Sequence, residues 1–164
     1  MDDLTTRHLC FYNLGPVSGA SQPHKHLQLI EFPEEFVPWA DKVILPALGS
    51  VASTPLLPFA NFIAQTPKDG SGDALHATYK SLINASNASL KNAGFFSEPY
   101  SHSVLLTKEW MVVVPRTRET WNQASLNSVG MIGMILVKRE QEVQSFIEHG
   151  VLNILKELSV PKIE

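Results

Sequence analysis

Two histidines and a glutamine stand at alternate positions, His24, His26 and Gln28, directly after a glycine, serine and proline loop in the stretch NLGPVSGASQPHKHLQLI, residues 13–30. On a strand these three side chains share one face, and Lys25, Leu27 and Leu29 take the other. Neighbours two apart on a strand lie roughly 6.6 Å from each other, so both imidazoles could meet one phosphate group or one metal ion. A neutral imidazole is a good nucleophile toward a phosphorus ester, and the high-energy bond it forms can be broken by a second acceptor. One displacement then becomes two. Such a site must also neutralise the non-bridging oxygens. The Gly15–Gly19 loop could aim backbone N–H groups at them, with Ser18, Ser21 and the Gln28 amide as neutral donors. A histidine at position 28 could transfer a proton, whereas an amide only exchanges hydrogen bonds, which suits group transfer better than acid-assisted hydrolysis.

Plainer readings exist for each feature. A His-x-His pair on a strand is also a common structural or simple metal-binding arrangement, and a Gly/Ser/Pro cluster between strands is also an ordinary turn. Arg116 and Arg118 follow a strand end, where arginines either contact phosphate or are exposed and solvated. His8, His76, His102 and His149 show no partner in the sequence and read as structural or surface groups. Trp39, Trp110 and Trp121 read as core residues rather than stacking platforms.

The elements that must position these residues follow from periodicity. Residues 8–14 (HLCFYNL) predict a strand, 15–23 a loop, and the His stretch the returning strand. Five prolines between positions 31 and 58 (Pro33, Pro38, Pro46, Pro55, Pro58) predict a connector with at most a short helix near 39–45. The run FANFIAQ alternates like a strand. Residues 69–73 then mark a turn and a helix start with Asp73 as cap, and the helix ends at Gly94. SHSVLLT and WMVVVP predict a hairpin closed by Pro115, followed by a polar connection over 119–129. MIGMILVK reads as a strand, although periodicity alone does not separate it from a buried helix start. Residues 138–158 read as helical, with Gly150 a cap or kink.

At 164 residues and 44% hydrophobic content the chain can bury a real core. Thirteen Lys and Arg against sixteen Asp and Glu give a net charge of −3 with no polybasic run, which argues against nucleic acid or a membrane surface as partner. The single cysteine, Cys10, forbids an internal disulfide, and the N-terminus lacks the pattern of a signal peptide. A cytoplasmic location is expected, with the nucleus open. No apolar run approaches the 18 or so residues of a membrane span.

The stretch resembles the active-site segment of the histidine-triad superfamily, in the transferase branch whose last histidine is replaced by glutamine. More narrowly it resembles the fungal ATP adenylyltransferases, also called diadenosine tetraphosphate phosphorylases. Asn13, Gly15, Ser18–Gln22, His24, Lys25, His26, Leu27 and Gln28 meet their pattern of an asparagine and glycine followed by SGASQ-x-H-[KR]-H-L-Q. The likeness continues through Leu57–Phe62, Ser103–Arg116, Asn127–Lys138 and the terminal GVLNILKELSVP. Departures are Asn61 in place of a histidine and His102–Ser103 in place of a Tyr-Asn pair.

The resemblance implies an α+β fold with a histidine-triad-like, mostly antiparallel sheet and flanking helices, truncated at the N-terminus. Residues 1–53 would be the end of a catalytic nucleotidyltransferase domain and 54–164 a C-terminal ATP adenylyltransferase domain. The implied activity is reversible phosphorolysis of diadenosine tetraphosphate to ATP and ADP through an adenylyl-histidine on His26. Asn13, Ser18, Gly19, Ala20, Ser21, His24 and Gln28 would bind substrate, Gln28 and Ser21 by holding phosphoryl oxygens. The relatives that place a zinc at the His24 position do so with upstream cysteines absent here, so no metal is expected. No cofactor is expected beyond a divalent cation accompanying the nucleotide. The implied partners are the nucleotides and phosphate, with self-association or complementation by an N-terminal half completing the site. Two alternatives stand beside this one: a truncated, inactive relative that binds nucleotide or a partner, and a cupin-like metal-binding protein suggested by His24, His26 and Glu31.

Overall fold

Strict alternation of apolar side chains builds the centre of the molecule. In β1 (His8–Leu14), Leu9 and Phe11 go to one face while Cys10 and Tyr12 go to the other. β4 (Ser101–Leu106) and β5 (Trp110–Arg116) are buried almost throughout and covered on both faces, β5 largely as an apolar run and β4 with Ser101, His102 and Ser103 buried ahead of its apolar half. The computed structural model describes residues 6–22, 24–96 and 99–162. With β2 (Gln28–Glu31) and β3 (Phe62–Gln65), these strands form a five-stranded antiparallel sheet in the order β2-β1-β4-β5-β3. The mixed, mostly antiparallel architecture matches the α+β expectation.

One face of the sheet is covered by α1 (Gly72–Asn92), whose Leu75, Tyr79, Leu82 and Ile83 pack on Val104, Met111 and Val113. Their spacing is that of one helix face, and burying Leu82 completely contributes about 2 kcal/mol. The helix starts at Ser71 rather than at the expected Asp73. The Ser71 hydroxyl accepts from the Ala74 N–H at 3.2 Å, while Asp73 sits inside the first turn, where its charge complements the helix dipole. The buried His102 of β4 meets the Ser86 hydroxyl of α1 at 2.9 Å and ties helix to sheet.

The opposite face carries the larger core, closed by the connector after β2 and by the C-terminal third. The connector holds a 3-10 turn (Trp39–Lys42), fixed where Asp41 accepts from both guanidinium nitrogens of Arg7 and from the Trp110 indole at 2.8 Å. Burial works to raise the Asp41 pKa, and these hydrogen bonds with the Arg7 charge outweigh it, holding the carboxyl below its ordinary value. Within the polar connection after β5 lie two short strands, β6 (Thr120–Trp121) and β7 (Ala124–Ser125). The MIGMILVK run is not a strand. A 3-10 turn (Ser128–Ile132) is capped by the Asn127 side chain and stopped by Gly133 at φ 101°, a left-handed conformation that breaks any strand path. α2 (Glu140–His149) and α3 (Val151–Glu157) follow, with the expected interruption at Gly150.

Sequence-local readings shift in three further places. Pro115 does not close β5, because the strand continues through its pairing with His102 to Arg116. His149 is not partnerless, since Nε2 meets Glu157 at 2.7 Å, and His8 Nδ1 reaches the Thr6 carbonyl. Among the described residues no helix is long and apolar enough to cross a membrane.

Candidate active site

The glycine loop is built by close approach. Gly15 has φ 87°, and a side chain there would meet Ser101 Oγ at 2.5 Å and the Tyr100 carbonyl at 2.7 Å. Gly19, at φ 80°, lies against the Leu126 carbonyl and Asn127, which a Cβ would approach to 2.8 and 2.9 Å. Only glycine combines this backbone with this proximity. Val17 N–H donates to Ser101 Oγ at 3.1 Å, and the buried Ser18 hydroxyl donates to the Gly15 carbonyl at 2.8 Å. Among the described residues nothing accepts from the amides of Ser18, Gly19, Ala20 and Ser21. Ala20 and Ser21 are exposed.

Under the loop lies a buried polar row on one face of the sheet. Asn13 of β1 pairs with Ser103 of β4 in the ladder, and Asn13 Oδ1 accepts from the N–H and hydroxyl of Ser128 at 2.8 and 2.7 Å. Arg116 enters this row from the end of β5 and is 1% exposed, which overturns the solvated reading as well as direct phosphate contact. Its guanidinium donates to the carbonyls of Leu158, Ser18, Arg118, Glu119 and Leu126 and to Ser103 Oγ, at 2.9 to 3.5 Å. Burial lowers its pKa to about 10, so it stays charged at neutral pH.

The histidines lie elsewhere than the alternation suggested. β2 begins only at Gln28, opposite Phe11, so His24 and His26 precede the strand. The preceding loop is drawn away from the sheet edge by its ties to Ser101, Leu126 and Arg116, and the ladder stops short of it. The His24 and His26 rings are 5.3 Å apart, and His26 Nδ1 lies 3.3 Å from the His24 carbonyl. His24 is exposed, while His26 and Gln28 are half-buried. His26 borders a cavity of about 480 Å³ together with Cys10, Tyr12 and Leu106 of the sheet and His76 and Tyr79 of α1. Burial raises the pKa values of Cys10, Tyr12 and Tyr79, keeping all three uncharged at neutral pH.

Asn13, Ser18 and Gly19 are thus brought together with Arg116 and Ser128, and Gln28 shares Asn13's face through its partner Phe11. His26 sits at the edge facing α1 and is not in contact with that row. Continued at the same register, the β1–β2 ladder would set His26 opposite Asn13. Sequence reasoning missed Ser128, Asn127 and Leu126 as loop supports. Asn127 and Leu126 also border a cavity of about 280 Å³ beside Gly19, lined as well by Lys138 and Glu142. The signal was the Asn127–Lys138 segment, to which the resemblance attached no role. Among the described residues no group of three or more His, Cys, Asp or Glu side chains is placed to hold a metal ion.

A glycine loop pinned over an antiparallel sheet, with a His-x-His-x-Gln run entering the edge strand, defines a histidine-triad type of nucleotidyltransferase fold. The chain belongs to the ATP adenylyltransferase family: residues 55–161 match the ATP adenylyltransferase C-terminal domain, and residues 4–46 match the Ap4A phosphorylase N-terminal domain. It is 36% identical to diadenosine 5′,5‴-P1,P4-tetraphosphate phosphorylase 2 of Saccharomyces cerevisiae, covering 90% of this chain and 50% of that protein. Protein APA1 of the same yeast is 32% identical over 94% of this chain and 53% of its own length. Two crystal structures of yeast Ap4A phosphorylase Apa2 superpose closely. The complex with AMP gives a TM-score of 0.81 at 32% identity, covering 96% of this chain and 57% of that one. The complex with Ap4A gives 0.79 at 33%, covering 99% and 58%. The chain spans about half the length of the relatives it matches. This kinship replaces the cupin-like reading.

Proposed function

We propose that the chain carries the phosphoryl-handling part of an adenylyltransferase that splits diadenosine tetraphosphate with phosphate into ATP and ADP. The observation that supports this most is the glycine loop, whose Ser18 and Gly15 carbonyls are turned to buried donors while the amides of residues 18–21 have no protein partner among the described residues. Unpaired amides in a glycine turn form a cradle for phosphate oxygens. Ser21 and the Gln28 amide add neutral donors, the Ser18 hydroxyl braces the turn by donating to the Gly15 carbonyl while its N–H joins the cradle, and Asn13 fixes the strand from which the loop departs.

In the first step a His26 ring nitrogen attacks the α-phosphorus of the dinucleotide. A P–N bond forms, the P–O bond to the leaving ATP breaks, and ATP departs with that electron pair. In the second step a phosphate oxygen attacks the same phosphorus, the P–N bond breaks, and ADP leaves with histidine restored. Extending the β1–β2 ladder on ligand binding would bring His26 beside Asn13 and over the loop. No metal is assigned to the protein, and a divalent cation would travel with the nucleotide. Nucleotides and phosphate are the proposed partners. The boundary between the two functional parts is placed at residues 53 and 54.

A second reading, a relative that binds nucleotide without turning it over, draws on the half-length match to its relatives. Incubation with radiolabelled dinucleotide followed by a phosphate chase separates the two. An acid-labile label on the wild-type chain, chased by phosphate and lost in His26→Ala, is expected. Measurable binding with no label would decide for the second reading.

A further inference from the structure

We infer that Arg116 is a positioning residue for the phosphate-handling loop, holding the Ser18 and Leu126 carbonyls inward from beneath so that the loop amides stand ready for a phosphate the guanidinium never touches. The inference rests on the proposed function for the identity of the ligand, and on geometry alone for the role of the residue.

Three observations carry it. First, the guanidinium has no donor to spare. Its five N–H groups are spread over six acceptors, five of them main-chain carbonyls and the sixth Ser103 Oγ. A phosphate could bind it only by displacing these. Second, the acceptors belong to four separate segments: the glycine loop at Ser18, β4 at Ser103, the hairpin region from Arg118 to Leu126, and the end of α3 at Leu158. One planar fork therefore sets the position of the loop relative to three elements at once. The Leu126 carbonyl it holds at 2.9 Å is the same oxygen against which Gly19 is packed, so the loop is gripped from both sides of its tightest point. Third, no carboxylate lies within 4.0 Å of the guanidinium among the described residues. A buried cation is costly unless compensated, and here carbonyl dipoles do most of it, with Glu119 contributing at longer range. The uncompensated remainder of that charge lies under the loop and favours an anion on the loop's outer side.

Lysine at this position keeps the charge and the apolar stem and loses the fork, so Arg116→Lys tests positioning rather than charge. Val113→Ala, a cavity on the α1 face of β5 away from the loop, serves as a variant of lowered stability. Each is checked for fold by circular dichroism. Loop protection is then read by hydrogen exchange over residues 13–22, and ligand binding by calorimetric titration with ADP. Arg116→Lys is expected to raise exchange in the loop at least tenfold and to weaken ADP at least tenfold, while Val113→Ala changes either by less than about twofold. Unchanged loop protection in folded Arg116→Lys, or equal loosening in Val113→Ala, overturns the inference. If the wild-type chain binds no ADP the proposed function fails, and the exchange measurement alone decides on Arg116. Should Arg116→Lys not fold, Ser103→Ala removes one acceptor and leaves the arginine in place. A rise in loop exchange of about threefold supports the inference, and no rise overturns it.

Discussion

Gly19 and Gly49 share nearly the same left-handed backbone, φ 80° and 83°, yet they stand in opposite surroundings. A Cβ on Gly49 meets nothing within 4 Å, whereas one on Gly19 meets the Leu126 carbonyl at 2.8 Å. Alanine at Gly49 therefore carries only the backbone cost, about 1 kcal/mol. Alanine at Gly19 adds displacement of a main-chain oxygen that Arg116 holds in place, and about 3 kcal/mol in all is expected. Thermal unfolding of the two variants measures this difference, and equal effects would show that the loop yields freely. At this scale the chemistry-bearing residues were legible because their types announce them: the loop glycines, the histidines and Gln28 stand in one short stretch. Arg116 was not. An arginine after a strand looks the same in sequence whether water or six protein oxygens surround it, and those oxygens come from positions as far apart as 18 and 158. Ser128 was hidden for the same reason, since its partner Asn13 is 115 residues away.

Between elements, the contact of His102 with Ser86 links β4 to α1 and makes the junction sensitive to acid. Burial lowers the His102 pKa from 6.5 to about 4, so the imidazole is neutral where the helix covers it. The unfolded chain binds a proton here between pH 6.5 and 4 and the folded chain does not. Stability from this group is thus fully present above about pH 6.5, falls as the pH drops toward 4, and changes no further below that. At about 1.4 kcal/mol per pH unit the loss reaches about 3 kcal/mol. Denaturant unfolding at pH 7 and pH 4.5 should show most of it in the wild type and little in His102→Gln; a His102→Gln slope equal to wild type would assign the acid sensitivity to other groups. Elements themselves were legible where periodicity was long or strict, as in β1, α1 and the β4–β5 hairpin. They were misread where a turn overrode local apolar content. MIGMILVK is apolar enough for a strand, but the Asn127 cap and the left-handed Gly133 wind it into a 3-10 turn. The His stretch has strand-like alternation, but the loop ahead of it is tied into the interior, and pairing begins only at Gln28.

At the scale of the molecule, the last described residues close what the sheet leaves open. Ala60 N–H donates to the Val160 carbonyl, Lys162 N–H to the Pro58 carbonyl, Thr117 Oγ1 to the Ser159 carbonyl, and the Lys162 ammonium to the Thr54 carbonyl. Single bridges pair Phe59 with Pro161 and Arg116 with Ser159. The C-terminal segment thus lies between the connector that precedes β3 and the end of β5, and it covers the side of the core on which Phe59 and Leu158 are fully buried. Each hydrogen bond contributes about 1 kcal/mol net, and burying Val160 adds about 1.5. Their sum, about 5.5 kcal/mol, is a large share of the roughly 5–15 kcal/mol by which a folded domain is stable. The same segment braces the arginine under the glycine loop, because Ser159 bridges Arg116, whose Nε donates to the adjoining Leu158 carbonyl at 3.2 Å and whose Nη1 donates to the Ser18 carbonyl at 3.3 Å. Removal of residues 159–164 is therefore expected to lower the melting temperature by more than 10 °C and to raise hydrogen exchange over residues 13–22 along with it. A truncated chain that melts within a few degrees of the wild type would mean that the sheet and α1 stand without this closure. The loop would then be held by Arg116, β4 and the 126–128 segment without help from the C-terminal residues.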